Sequence, residues 1–150
     1  MKLWRTARWG RATLSLAYAL VIMGVVSCAQ DPEVKKQNYL DRGKAYYSSG
    51  KYNEAIIELK NALQIDPKLA PALYHLGLSY KEKGWLVDAA RELQKVATLT
   101  PDWPDGRAAL GLVYVEMEAW DDALAEANAI RKAEPDNVQG VYLASLALKG

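Results

Sequence analysis

The 150-residue sequence is poor in the residues that do chemistry: it has one cysteine, one histidine and no phenylalanine. A single cysteine excludes an internal disulfide. One cysteine and one histidine together fall short of the four N/S ligands of a structural zinc site, so no metal is expected. The sequence also lacks GxGxxG, GxxxxGK[ST], GxSxG and HExxH, the short signatures of dinucleotide, phosphate, acyl and zinc-hydrolase chemistry. No cofactor and no catalytic activity are expected. An excess of one charge sign is missing too, with 19 Lys+Arg against 18 Asp+Glu. Four of the basic residues (Lys2, Arg5, Arg8, Arg11) precede Cys28, leaving 19 − 4 = 15 basic against 18 acidic groups beyond it. Capture of nucleic acid needs a basic face, which this part does not offer. What the sequence does have is apolar residues, 51% of the total, enough for a packed core.

The first 28 residues divide into a basic head, an uncharged apolar run from Ala12 to Val26, and Ser27-Cys28. This is the layout of an export signal. As a helix the run would span about 22 Å at ~1.5 Å per residue, short of a hydrocarbon core of roughly 30 Å, so a cleaved signal fits better than the alternative of an uncleaved anchor. Val25-Val26-Ser27-Cys28 resembles a bacterial lipobox. The resemblance implies a signal peptide over 1–27, a diacylglyceryl group on the Cys28 thiol, cleavage before Cys28, and a short tether over 28–35. Multiple acyl chains are needed for stable anchoring, because one chain binds membranes only marginally. In a Gram-negative cell, Ala29 rather than Asp after the cysteine implies sorting to the outer membrane.

The rest repeats. Gly43, Gly77 and Gly111 are 34 residues apart, as are Tyr46, Tyr80 and Tyr114, Ala55, Ala89 and Ala123, and Pro67, Pro101 and Pro135. Leu59 and Leu93 keep this register with Ala127 in the third copy, as do Ala62, Val96 and Ile130. The pattern resembles the tetratricopeptide repeat, a helix-turn-helix unit of 34 residues. It implies an all-α fold whose repeats cover 36–69, 70–103 and 104–137, with the first helix of an incomplete fourth over 138–150, stacked into a right-handed superhelical solenoid. In the first copy the apolar pattern predicts helices over Tyr39–Ser48 and Tyr52–Ile65. Ser49-Gly50-Lys51 and Lys83-Gly84 read as the turns between paired helices. The third copy has Glu118-Ala119 there and no glycine, which predicts a tighter or strained turn. Proline ends each second helix, because it lacks a donor and disfavours the helical conformation of its predecessor.

A glycine inside a helix costs roughly 1 kcal/mol against alanine, so Gly43, Gly77 and Gly111 need a packing reason. The expected one is close approach of the paired helix at Ala55, Ala89 and Ala123. Tyr52, Leu86 and Trp120 open the second helices and read as wedges between helices; Trp85 beside Leu86 is a candidate surface residue. His75 has no serine, cysteine or carboxylate placed to use it and reads as a bystander. The last helix is apolar on more than one side through Val141, Leu143, Leu146 and Leu148.

In an array of this kind the first helices line a concave groove. The positions beside their packing stripe are Leu40, Lys44 and Tyr47, then Tyr74, Leu78 and Lys81, then Ala108, Leu112 and Val115. They predict an apolar groove edged by two lysines, with plain packing filler as the competing reading. Family members that clamp carboxylates carry asparagine on this surface, where this sequence has Leu78 and Leu112, so an apolar segment of a protein partner is expected rather than an acidic tail. Together these readings describe a lipid-tethered scaffold on the periplasmic face of a bacterial envelope. The stretch from Glu54 to Val96 resembles the N-terminal repeats of the lipoproteins that accompany exosortase and exopolysaccharide systems. A type IV pilus pilotin and a regulatory subunit of a cell-wall enzyme are the alternatives.

Overall fold

The computed structural model describes residues 31–149; the signal segment and Cys28 lie outside them. Seven helices follow one another: α1 (Pro32–Ser48), α2 (Tyr52–Ile65), α3 (Ala70–Glu82), α4 (Leu86–Leu99), α5 (Pro104–Glu116), α6 (Trp120–Ala133) and α7 (Val138–Ala147). There is no strand among the described residues.

The punctuation of the sequence explains where they stop. α2, α4 and α6 end two residues before Pro67, Pro101 and Pro135, and the intervening Asp66, Thr100 and Glu134 all take φ near −130° (−134°, −131°, −135°). That is the extended conformation a following proline imposes. α3, α5 and α7 open at the 34-residue register. α1 opens earlier than the periodicity predicted, at Pro32, so helix runs through residues read as tether. Proline suits a first helical position, where its missing N–H leaves nothing unsatisfied, and Glu33 in the first turn complements the helix dipole.

The three turns inside the repeats are one structure made three times. The backbone N–H groups of Lys51, Trp85 and Ala119 each donate to the tyrosine carbonyl five residues earlier, at Tyr46, Tyr80 and Tyr114, all at 2.9 Å. This bond closes the first helix in a Schellman-type cap, which requires a left-handed residue just before the donor. Gly50 and Gly84 provide it at φ 73° and 72°, and Glu118 is forced into it at φ 58°.

Every consecutive helix pair packs together. The first helices α1, α3, α5 and α7 also touch their neighbours in that series, whereas α2, α4 and α6 do not touch one another. An array whose first helices crowd while its second helices splay curves with the first helices inside. The core follows the register, with Ala55, Leu59, Ala62, Ala89, Leu93, Val96, Ala123 and Ala127 sealed from solvent. The helical glycines are explained by leucine rather than by the alanines expected. A Cβ on Gly43 would stand 2.6 Å from Leu59 Cγ, and one on Gly77 the same distance from Leu93 Cγ, with the Ala89 carbonyl at 3.3 Å. Gly111 faces Leu143 of α7 instead, because Ala127 in its own repeat is too short to reach.

Candidate binding groove

Three inner helices bring six of the nine residues expected of the groove around one hollow of about 210 Å³: Tyr47 from α1, Tyr74, Leu78 and Lys81 from α3, Ala108 and Leu112 from α5. Glu82, Asp105 and Gln139 complete its rim. The other three fall elsewhere. Leu40 is 3% exposed within the core cluster of Ala55, Leu59 and Ala72, so it offers no surface to a partner. Of its register mates, Tyr74 is half-buried and lines the hollow, whereas Ala108 lines it as a buried residue of the cluster around Leu143. Val115 packs against the cluster around Leu143. Lys44 is half-buried and acts on His75, outside the hollow's lining.

The expected basic edge is also corrected. Lys81 Nζ binds Glu116 Oε1 at 2.8 Å and stands 3.9 Å from Glu82 Oε1. The hydrogen bond to Glu116 is the main reason that its pKa lies above the ordinary lysine value. The pair ties α3 to α5, and the rim it leaves is acidic.

The structure also joins aromatic rings that the sequence kept apart. Tyr52, Tyr47, His75, Tyr74 and Trp103 form a chain with successive centroids 5.7, 5.7, 5.3 and 4.8 Å apart. Edge-to-face and tilted contacts at such distances stabilise beyond simple burial. His75 is a link in this chain, so it is more than a bystander to the packing. Its Nδ1 is buried without a hydrogen-bond partner, and burial followed by the nearby Lys44 charge pushes its pKa below 6.5. Burial raises the pKa of Tyr47 and Tyr74, and the charges of Glu82 and Asp105 respectively add to the rise. Trp103 precedes Pro104 in an interrepeat turn, and no periodicity pointed to it. Trp85 is 48% exposed, lying on Tyr80 with Lys83 Nζ 5.8 Å from its ring centroid.

A larger hollow, about 500 Å³, lies between the α2–α3 turn and α4, with Leu73 as floor and Lys68, Arg91 and Lys95 at its edge. Size favours it, but its two α4 cations are engaged, Arg91 with Asp88 and Lys95 with Glu92 at 2.7 Å each. The inner hollow is the better candidate because residues of four helices converge on it. Among the described residues no group of His, Cys, Asp and Glu could hold a metal ion, and no helix is long and apolar enough to cross a membrane.

Comparison with known proteins places this geometry. A family model described as a TPR repeat matches residues 43–84. Superkiller complex protein 3 of mouse is 26% identical over 120 residues, which are 80% of this chain and 8% of that protein. The chain thus spans less than a tenth of the length of that curated relative. Among solved structures, the second TPR domain of human RPAP3, in complex with the HSP70 peptide SGPTIEEVD, superposes with a TM-score of 0.74 at 20% identity, covering 80% of this chain and all of that one. A crystal structure of MamA gives 0.73 at 28% identity, covering 77% of this chain and 68% of that one. With the 34-residue register, the recurring turn and the curvature toward the first helices, residues 32–147 form an all-α solenoid of helix-turn-helix units with the fold of those solved TPR domains, and within it residues 43–84 match the TPR-repeat model.

Proposed function

We propose that this chain is a non-enzymatic scaffold, tethered by lipid on Cys28 to the periplasmic face of a bacterial cell envelope, that holds a segment of a protein partner in its concave groove. The observation carrying the groove reading is the convergence of Tyr47, Tyr74, Leu78, Ala108 and Leu112 on one hollow. Tyr47, Tyr74, Leu78 and Leu112 are half-buried around it, and partly open apolar side chains that converge on one concavity are what a docking segment needs to gain affinity by desolvation. The solved relative bound to an HSP70 peptide supports peptide binding as a use of this fold. The tether reading rests on the basic head, the short apolar run and Val25-Val26-Ser27-Cys28. A role in exopolysaccharide or exosortase export is the finer form of the proposal.

Photo-crosslinking in the native cells tests the groove. A crosslinking residue at Leu112 should capture a partner that the same residue at Arg91, on the outer face, does not. Equal capture from both positions would remove the groove from the proposal. Mass spectrometry of protein taken from membranes should find a lipid-modified N-terminus at Cys28; an intact Met1 terminus on most molecules would replace the lipid tether with an uncleaved anchor.

A further inference from the structure

The hollow contains the elements of a cation socket. Tyr74 stands at its wall with the Trp103 ring 4.8 Å away, centroid to centroid, tilted by 42°. Asp105, two residues after Trp103, lines the same hollow and is close enough for its charge to act on the Tyr74 hydroxyl. Asp105 Oδ1 accepts a hydrogen bond from Gln139 Nε2 at 2.8 Å, a neutral donor that holds the carboxylate without cancelling its charge. No ion pair reaches Asp105 among the described residues, while the nearest groove cation, Lys81, is committed to Glu116. Glu82 on the same rim stands 3.9 Å from Lys81 and is partly neutralised by it, so Asp105 is the carboxylate that acts.

A carboxylate beside an aromatic ring attracts an ammonium or guanidinium group by ion pairing and cation–π attraction together. The same arrangement repels a carboxylate, and like-charge juxtaposition is how interfaces reject the wrong partner. The peptide bound to the RPAP3 domain, SGPTIEEVD, carries three acidic side chains, so charge separates that ligand from one suited to this groove.

Resting on the groove reading above, we infer that the bound segment is apolar with a lysine or arginine, and that this side chain seats against Tyr74 and Asp105, with Trp103 packed behind the Tyr74 ring, while its aliphatic neighbours cover Leu78 and Leu112. Specificity thus runs opposite to that of carboxylate-clamp arrays. The socket chooses the cation and the leucines supply the burial.

The test uses the full chain and two fluorescent probe peptides rich in leucine and alanine, one carrying lysines and the other glutamates at the same positions. Anisotropy titrations should show the lysine peptide binding about five- to tenfold more tightly, a preference that shrinks as salt rises. Asp105→Asn should abolish the preference and Asp105→Lys should reverse it. Tyr74→Leu, which keeps apolar bulk but removes the ring, should weaken the lysine peptide about threefold or more and leave the glutamate peptide unchanged. Equal affinities, a preference that survives Asp105→Asn, or binding of neither peptide would overturn the inference. Failure of the groove itself reads differently: crosslinking at Leu112 in cells would then capture nothing that Arg91 does not, whatever the peptides do.

Discussion

The second and third repeats have the same backbone built from different side chains. In the second, Gly84 makes the left-handed turn residue and Leu93 packs against Gly77. In the third, Glu118 occupies the turn and Ala127 replaces the leucine, yet the Schellman bond has the same 2.9 Å length and Gly111 is still capped by a leucine. That leucine is Leu143, from the following helix. The helical glycine of the second repeat is thus packed from within its own repeat, whereas that of the third borrows a leucine from its neighbour. Nearest-neighbour coupling is the general property of repeat arrays, and Leu143 is one side chain that carries it here.

The sharpest way to break the comparison is Leu143→Ala. Leu143 is 1% exposed, and truncating a buried leucine removes its transfer energy and leaves a cavity, about 2–5 kcal/mol in all. Because Leu143 caps Gly111, the loss should appear as faster amide exchange in α5 as well as in α7. Adding Ala127→Leu should restore part of the stability by rebuilding the contact from within the repeat, as Leu93 does in the second. Denaturant melts of the two variants decide this, and a double variant no more stable than Leu143→Ala would show that the two leucine positions are not interchangeable.

Next in size is Gly77→Leu. Even the first carbon of a side chain would overlap Leu93 Cγ at 2.6 Å and crowd the Ala89 carbonyl at 3.3 Å. Overpacking of this kind costs about 1–3 kcal/mol, larger than the helix propensity regained on leaving glycine. A melting temperature equal to the parent's would mean that α4 can slide away from α3.

The division between what sequence and structure reveal follows the same line. Features internal to one repeat were legible: the 34-residue register, the proline stops, the turns and the strain at Glu118 all depend on contacts close in sequence. Features made between repeats were not. Leu40 looked like its register mate Tyr74, and the packing of α2 and α3 residues around it, Ala55, Leu59 and Ala72 among them, places it in the core instead. Lys81 looked like a free groove cation until α5 placed Glu116 beside it. Trp103 had no periodicity to mark it, and His75 no partner in sequence, because the ring chain they share crosses from α1 to α3 to the turn before α5.

A smaller effect is expected at the turn. A left-handed conformation costs a residue with a Cβ roughly 1–2 kcal/mol, and glycine escapes this but loses more freedom on folding. The net gain from Glu118→Gly should be about 0.5–1 kcal/mol, and Gly84→Glu should cost about as much. If Glu118→Gly leaves the melting temperature unchanged, the third turn has relaxed its strain by means other than φ.

The smallest effect separates the repeats by pH. His75 holds the register of Ala109, so only the second repeat places a titratable ring at this point. Burial among Tyr47 and Tyr74, with Lys44 nearby, lowers its pKa in the folded state from 6.5. Above that value the ring is neutral whether the chain is folded or not, and stability from this group is complete. As pH falls through 6.5 the unfolded chain binds the proton first, so stability declines until the folded ring also titrates. The melting temperature of the parent should therefore sag as pH falls below 6.5, ahead of the range in which most carboxylates protonate. His75→Ala should lose some packing at every pH but flatten that sag. A parallel sag in both proteins would show that His75 is not its source.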